Sequence, residues 1–168
     1  MFYWKRFHVD IVLVKEIQRI YKQQLPNNNF FFQQLNLPVT HFLDREVQRF
    51  VLIQVEPYAM GRIHTDYRPP GYGDKLALQI PLENCDESTT HIWESDYTPP
   101  VQYTSNRQPY NFYDPARCKK ITSFNLTEPT FFRTDLPHSV DNPTGNVRKA
   151  ISIRFKKDPW DLIGESYE

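Results

Sequence analysis

The chain has 168 residues, with 20 Lys and Arg against 20 Asp and Glu; charged residues make up 24% of it and hydrophobic residues 39%. This is the composition of an ordinary globular protein, of a length that buries one core without staples. Zero net charge argues against a partner held through its phosphates, nucleic acid above all, and no apolar run reaches the roughly 18 to 20 residues that span a bilayer. Aromatic residues are abundant at 15%, and 14 prolines outnumber 5 glycines, which points to a β-rich domain with structured, aromatic-lined loops. The two cysteines, Cys85 and Cys118, form no CxxC pair and read as reduced structural thiols. The start, Met1 to Arg6, lacks the apolar stretch and small-residue cleavage site of a signal peptide, so a cytoplasmic location is expected.

From His8 to Gln24 the apolar residues recur at helical spacing, with Leu13, Ile17 and Ile20 in one set and Val14, Ile17 and Tyr21 in another. The β-branched stretch from Val9 to Val14 leaves a strand open there, so the helix is firmest from Leu13 onward. Pro26 and the three asparagines after it end the pattern. Asp44 to Phe50 fits either a short helix or the lead into a strand. Eight short strand candidates follow: 49–58, 62–66, 75–83, 89–94, 121–126, 130–134, the segment from His138, and 148–155. Turn residues separate them, and no helical pattern intervenes. The fold class expected is mainly β, a double-stranded β-helix (a cupin-like jelly roll) with an N-terminal helical region packed outside. One domain over 1–168 is expected, with a support region at 1–48, a β core at 49–157 and an insert at 95–119. The insert is rich in proline and tyrosine. A long irregular loop of this kind is often a lid, and Tyr97, Tyr103, Tyr110 and Tyr113 are its candidate pocket residues.

The chemistry concentrates in Arg62-Ile63-His64-Thr65-Asp66. Residues two apart on a strand project to the same face, so His64 and Asp66 aim an imidazole and a carboxylate at one point. His138, after Pro137, supplies a third donor from a distant strand. Two histidines and one carboxylate on a rigid scaffold make the facial triad of non-haem Fe(II) sites, which leaves coordination positions open. His8, His41 and His91 read as ordinary satisfied imidazoles. Such an iron site needs electrons from a reductant, and a 2-oxo acid chelating the metal needs a cation for its distal carboxylate. Arg148 stands at the start of the strand after His138, and Arg154 shares its face through Ala150 and Ser152. A guanidinium binds a carboxylate bidentately and stays charged when buried. Arg148 is the first choice as anchor and Arg154 the second.

At four places the chain resembles the 2-oxoglutarate/Fe(II)-dependent dioxygenase superfamily. YAMGRIHTD at 58–66 looks like the strand bearing the family's HxD, and KLALQIPLEN at 75–84 like the strand after it in the prolyl-hydroxylase and aspartyl/asparaginyl β-hydroxylase branches. FFRTDLPHSVDN at 131–142 looks like the segment with the distal histidine, and RKAISIRF at 148–155 carries the arginine. The resemblance implies that His64, Asp66 and His138 hold Fe(II), and that Arg148 anchors 2-oxoglutarate. Tyr58 would donate to the same carboxylate, with Asn142 and Ser152 as weaker supporting residues. It implies a hydroxylase that uses O2, releases succinate and CO2, and acts on a small molecule or peptide, an amino acid or a peptidyl side chain. Two other readings stay open: a cupin-type metalloenzyme without 2-oxoglutarate, expected to add a histidine or glutamate to the metal set, and a non-enzymatic jelly-roll module, which has no reason to converge a triad with a buried arginine.

Overall fold

A computed structural model describes residues 2–23, 32–35, 40–66, 75–103 and 109–164, with the backbone alone at 23 and 32–35. The elements in chain order are β1 (Trp4–Arg6), α1 (Ile11–Gln23), β2 (Phe32–Leu35), β3 (His41–Phe42), β4 (Arg45–Val55), β5 (His64–Asp66) and β6 (Leu76–Glu83). They continue with β7 (Thr89–Ser95), β8 (Val101–Tyr103), β9 (Pro109–Phe112), β10 (Cys118–Asn125), β11 (Thr130–Arg133), β12 (His138–Asp141) and β13 (Arg148–Phe155).

The strands form two antiparallel sheets. The larger runs β1-β11-β6-β13-β4-β2, with β3 paired to β4; the smaller runs β10-β7-β12-β5-β9-β8. Residues of both sheets line one cavity, so the sheets face each other. This is the cupin-like jelly roll expected from the alternating pattern, and each of the eight strand candidates corresponds to an observed strand.

Strand alternation assigns the faces of the larger sheet. On β13, Ile151, Ile153 and Phe155 face outward; they pack with Leu76, Leu78 and Ile80 of β6 and with Val14, Ile17 and Tyr21 of α1. Their neighbours Arg148, Ala150, Ser152 and Arg154 face inward and are buried too. Both faces of the sheet are therefore covered, and β6 is buried without a break from Leu76 to Ile80. A smaller apolar cluster of Ala77, Ile92, Phe124, Phe132 and Ala150 fills one end of the space between the sheets. The rest of that space has a mixed lining, with Gln79, Ser152 and Arg154 beside Ile53, Val55 and Phe112.

The N-terminal region is more than a helix. β1 extends the larger sheet by pairing with β11, and Asp44 to Phe50 leads into a strand, since β4 begins at Arg45. The turn from β3 to β4 is Leu43-Asp44, both with positive φ (54° and 56°). Two left-handed residues suit the twist of a two-residue hairpin and end any helical tendency. α1 opens where the Asp10 carboxylate accepts the Val12 amide at 2.7 Å, a cap that overrides the β-branched start. Of the two apolar sets, Val14, Ile17, Ile20 and Tyr21 are buried, while Leu13 is 41% exposed.

The segment 95–119 is not an irregular loop. It holds β8 and β9, a hairpin that continues the smaller sheet beyond β5, and a short 3-10 turn at Pro115–Arg117. The aromatics of β9 therefore form a fixed wall rather than a lid. Among the described residues, no helix is long and apolar enough to cross a membrane.

Candidate metal centre

His64, Asp66 and His138 come together on β5 and β12. One donor atom from each lies within 4.8 Å of the others. The register explains the meeting: His138 pairs directly with His64 across the two strands, and the imidazole centroids are 4.4 Å apart. Asp66 joins from the same face of β5. Among the described residues, these three are the histidine, cysteine and carboxylate groups that converge in this way.

Both imidazoles are held in one tautomer. His64 Nδ1 donates to the Arg62 carbonyl and His138 Nδ1 to the Leu136 carbonyl, each at 2.9 Å. In each case the bond spans two residues, so the chain's own backbone orients the ring. The Nε2 lone pairs are left for the shared point, the arrangement that metal-ligating histidines adopt. Burial, reinforced by the neighbouring His64, pulls the His138 pKa from 6.5 to about 3. It is therefore neutral at pH 7, as a metal ligand must be. Aromatic edges steady the rings: Phe132 against His138 at 5.3 Å and Tyr110 against His64 at 5.0 Å.

Asp66 divides its two oxygens. Oδ2 accepts from Arg154 Nη2, while Oδ1 lies 3.8 Å from His64 Nε2 and faces the shared point. Arg154 is itself fixed by donating from Nη1 to Thr134 Oγ1 at 2.6 Å. The donor set, two neutral imidazoles and one carboxylate, suits a divalent first-row metal.

The triad opens on a cavity of about 320 Å³. Gln79, Ser152 and Arg154 line its inner side, and Arg62, Tyr110, Phe112 and Val140 its outer side. Arg148 stands behind Gln79 with none of its surface exposed. It donates to Ser88 Oγ at 3.1 Å and weakly to Gln79 Oε1 at 3.4 Å. Its Nη1 has no hydrogen-bond partner among the described residues, and neither do the buried hydroxyls of Ser152 and Thr90. Burial lowers the Arg148 pKa. A buried guanidinium without a facing carboxylate carries a desolvation penalty of several kcal/mol that an anion would offset. The interior therefore has a metal-donor set on one side, and behind the Gln79 wall a buried cation with hydroxyls that have no partner among the described residues.

Not every sequence-predicted residue reaches the site. Tyr58 is 74% exposed and is absent from the cavity wall. It follows Pro57 in a turn with φ of 56°, and this backbone carries the ring outward, towards Gly145. It is no donor to an interior carboxylate. Arg154 faces the cavity, but it is committed to Asp66 and Thr134. Of the insert tyrosines, Tyr110 lines the cavity, whereas the Tyr97 hydroxyl accepts from the Asp114 amide at 2.7 Å, and Tyr103 is 69% exposed. His91 is satisfied between Ser123 Oγ (2.7 Å) and Asp141 Oδ2 (3.2 Å). Sequence reasoning missed Gln79, Phe112, Phe132 and Val140 as wall residues. Strand alternation was the available signal for Val140, which shares a face with His138; nothing on the face of β6 that holds Gln79 had been singled out.

No family model and no curated protein matches the sequence. Among solved structures, AviO1 from Streptomyces viridochromogenes is similar, with 13% identity, a TM-score of 0.50, and coverage of 94% of this chain and 90% of that one. Bacillus subtilis oxalate decarboxylase, studied for its Mn(II) centres, aligns over 82% of this chain at 17% identity with a TM-score of 0.39. This chain spans 29% of the oxalate decarboxylase chain. At such identity the AviO1 likeness is one of fold.

Proposed function

We propose that the protein is an Fe(II)- and 2-oxoglutarate-dependent dioxygenase that hydroxylates an unactivated C–H bond. The observation that carries this reading is the convergence of His64, Asp66 and His138 at a cavity backed by a buried, unmatched Arg148. His64, Asp66 and His138 would hold the metal. When bound together, Fe(II) and 2-oxoglutarate supply the oxidation: of the two atoms of O2, one enters the product alcohol and one enters succinate, and CO2 leaves.

The chain's own residues orient and enclose. Arg148 would take the distal carboxylate of 2-oxoglutarate through its free Nη1, and the unpartnered hydroxyls of Ser152 and Thr90 are candidate further donors. Gln79 lines the cavity and accepts weakly from Arg148 Nη2. Arg154 neutralises the outer oxygen of Asp66 and fixes the carboxylate in a single orientation, a positioning role. Phe132, Phe112 and Tyr110 exclude water from the side of the triad, where a dry wall strengthens each electrostatic contact.

The test is anaerobic addition of Fe(II) and 2-oxoglutarate, read as visible charge-transfer absorbance, followed by oxygen and measurement of succinate. A band that disappears in His64→Ala and weakens in Arg148→Met is expected. If the parent forms no band and yields no succinate, the reading fails. A metalloenzyme that does not use 2-oxoglutarate would bind metal yet give no band.

A further inference from the structure

Besides its histidines, the cavity is lined by four acidic or basic side chains among the described residues: Glu56, Arg62, Asp66 and Arg154. Asp66 and Arg154 are committed to each other. Arg62 is exposed, and no described carboxylate forms an ion pair with it. It is nonetheless held in place. The Gly61 amide before it donates to the Val140 carbonyl at 3.0 Å, and the Ile63 carbonyl after it accepts from the Tyr113 amide at 2.9 Å. Its own carbonyl holds His64 Nδ1.

The side chain is fixed as well. The Arg62 guanidinium lies 4.0 Å from the centre of the Phe112 ring, and that ring centre lies 6.2 Å from the His64 ring. The guanidinium is therefore no farther from the triad's first imidazole than these two steps together, about 10 Å. A guanidinium resting on a ring keeps its N–H donors for a second partner, and its planar fork suits a carboxylate. Ile53, Val55, Met60, Phe112, Phe132 and Val140 make the surrounding wall apolar. Glu56 differs from Arg62: it is exposed, and no described ion pair or ring holds its side chain, so ordering it for a ligand costs rotamer freedom.

We propose that Arg62 is the substrate-binding cation of the cavity, and that the substrate is a small monocarboxylic acid with an apolar body and no ammonium group. Its carboxylate sits on the Arg62 guanidinium and its far end reaches the triad. The proposal rests on the oxygenase reading and names its substrate class. One fixed, unpaired cation matches one anion. An ammonium beside that carboxylate would face the guanidinium, and a further charge of either sign along the apolar wall would be desolvated without a partner. The size agrees: about 320 Å³ is at the low end of the roughly 300–1,000 Å³ of small-molecule sites. The C–H bond presented to the triad belongs to a carbon remote from the carboxylate, which stays on Arg62 and is not consumed. The acid, O2 and 2-oxoglutarate become the hydroxy acid, succinate and CO2. The electrons for the second oxygen atom come from the decarboxylation of 2-oxoglutarate.

The experiment is calorimetric titration of the protein, with Fe(II) and 2-oxoglutarate present and oxygen absent, by straight-chain acids from butanoic to decanoic. The tightest binder is then compared with its primary amide and with its α-amino counterpart, each expected to bind at least tenfold more weakly. Arg62→Gln should weaken the acid at least tenfold and abolish its advantage over the amide, as a mutant cycle requires. The same variant should keep its affinity for Fe(II) and for 2-oxoglutarate, which shows that it is folded and that the co-substrate is not the anion Arg62 serves. Glu56→Gln, a charge change in the same lining, should leave the acid bound as tightly as before. The proposal is overturned if no acid binds, or if the amide or the amino acid binds as tightly as the acid. It is equally overturned if Arg62→Gln keeps the acid's advantage or loses 2-oxoglutarate instead, or if Glu56→Gln weakens the acid as much as Arg62→Gln does. Succinate formation on readmitting oxygen separates the two readings. Charge-dependent binding without succinate sinks the oxygenase and leaves the Arg62 site standing; succinate formed alike with acid and amide does the reverse.

Discussion

His138 shows how far one buried imidazole shapes the behaviour of the chain. It is pulled to a pKa of about 3 by burial, against about 6.5 in an unfolded chain. Between those values the unfolded chain takes up a proton that the folded chain refuses. Stability is thus fully present above pH 6.5 and falls as pH drops towards 3, by about 1.4 kcal/mol per pH unit for this group. Urea midpoints of the metal-free protein at pH 7 and pH 5 should show this loss, and His138→Gln should flatten the slope by about one proton. The two arginines of β13 separate at the same scale. Arg148→Met is expected to raise the KM for 2-oxoglutarate at least a hundredfold while Fe(II) affinity holds. Arg154→Met, which frees the outer oxygen of Asp66, should shift Fe(II) affinity instead. Titration of each variant with metal alone and then with co-substrate checks both.

Elements decide which of these residues were legible in advance. His64 and Asp66 could be read as partners because a strand alternates with a period of two, and that rule needs no tertiary knowledge. Their meeting with His138 depends on the pairing of β5 with β12, which alternation does not encode. Tyr58 was misplaced because its role came only from its position in the resemblance; the left-handed backbone after Pro57 turns the ring outward. β8 and β9 were hidden because their proline and tyrosine content imitates a loop, and their pairing with β5 is supplied from outside the segment. Gly61 is the element-scale prediction. Gly61→Ala sets a methyl carbon 2.5 Å from the Val140 carbonyl, a backbone atom that cannot step aside. Overpacking of this kind costs about 1–3 kcal/mol. It should also part β5 from β12, so Fe(II) affinity should fall along with the denaturation midpoint.

At the scale of the whole molecule, the larger apolar cluster lies outside the paired sheets, between the larger sheet and α1. Ile17 and Tyr21 of α1, both nearly fully buried, are part of it. Ile17→Ala should cost about 2–4 kcal/mol of stability yet leave Fe(II) affinity unchanged at temperatures where the variant is folded. A drop in affinity equal to that of Gly61→Ala would show that the two regions are coupled. Composition hinted at β structure and periodicity revealed α1, but neither says on which side of a sheet a helix rests.

That separation has a consequence for how the protein can change. In most small domains the residues that grip a ligand also hold the fold, so altering one taxes the other. Here the larger apolar cluster resides in one layer and most of the cavity wall in another. Exchanges at Gln79, Ser152 or Val140 would alter the shape and polarity of the chamber while the outer cluster keeps the sheet intact. The scaffold is arranged to accept a new guest without being rebuilt.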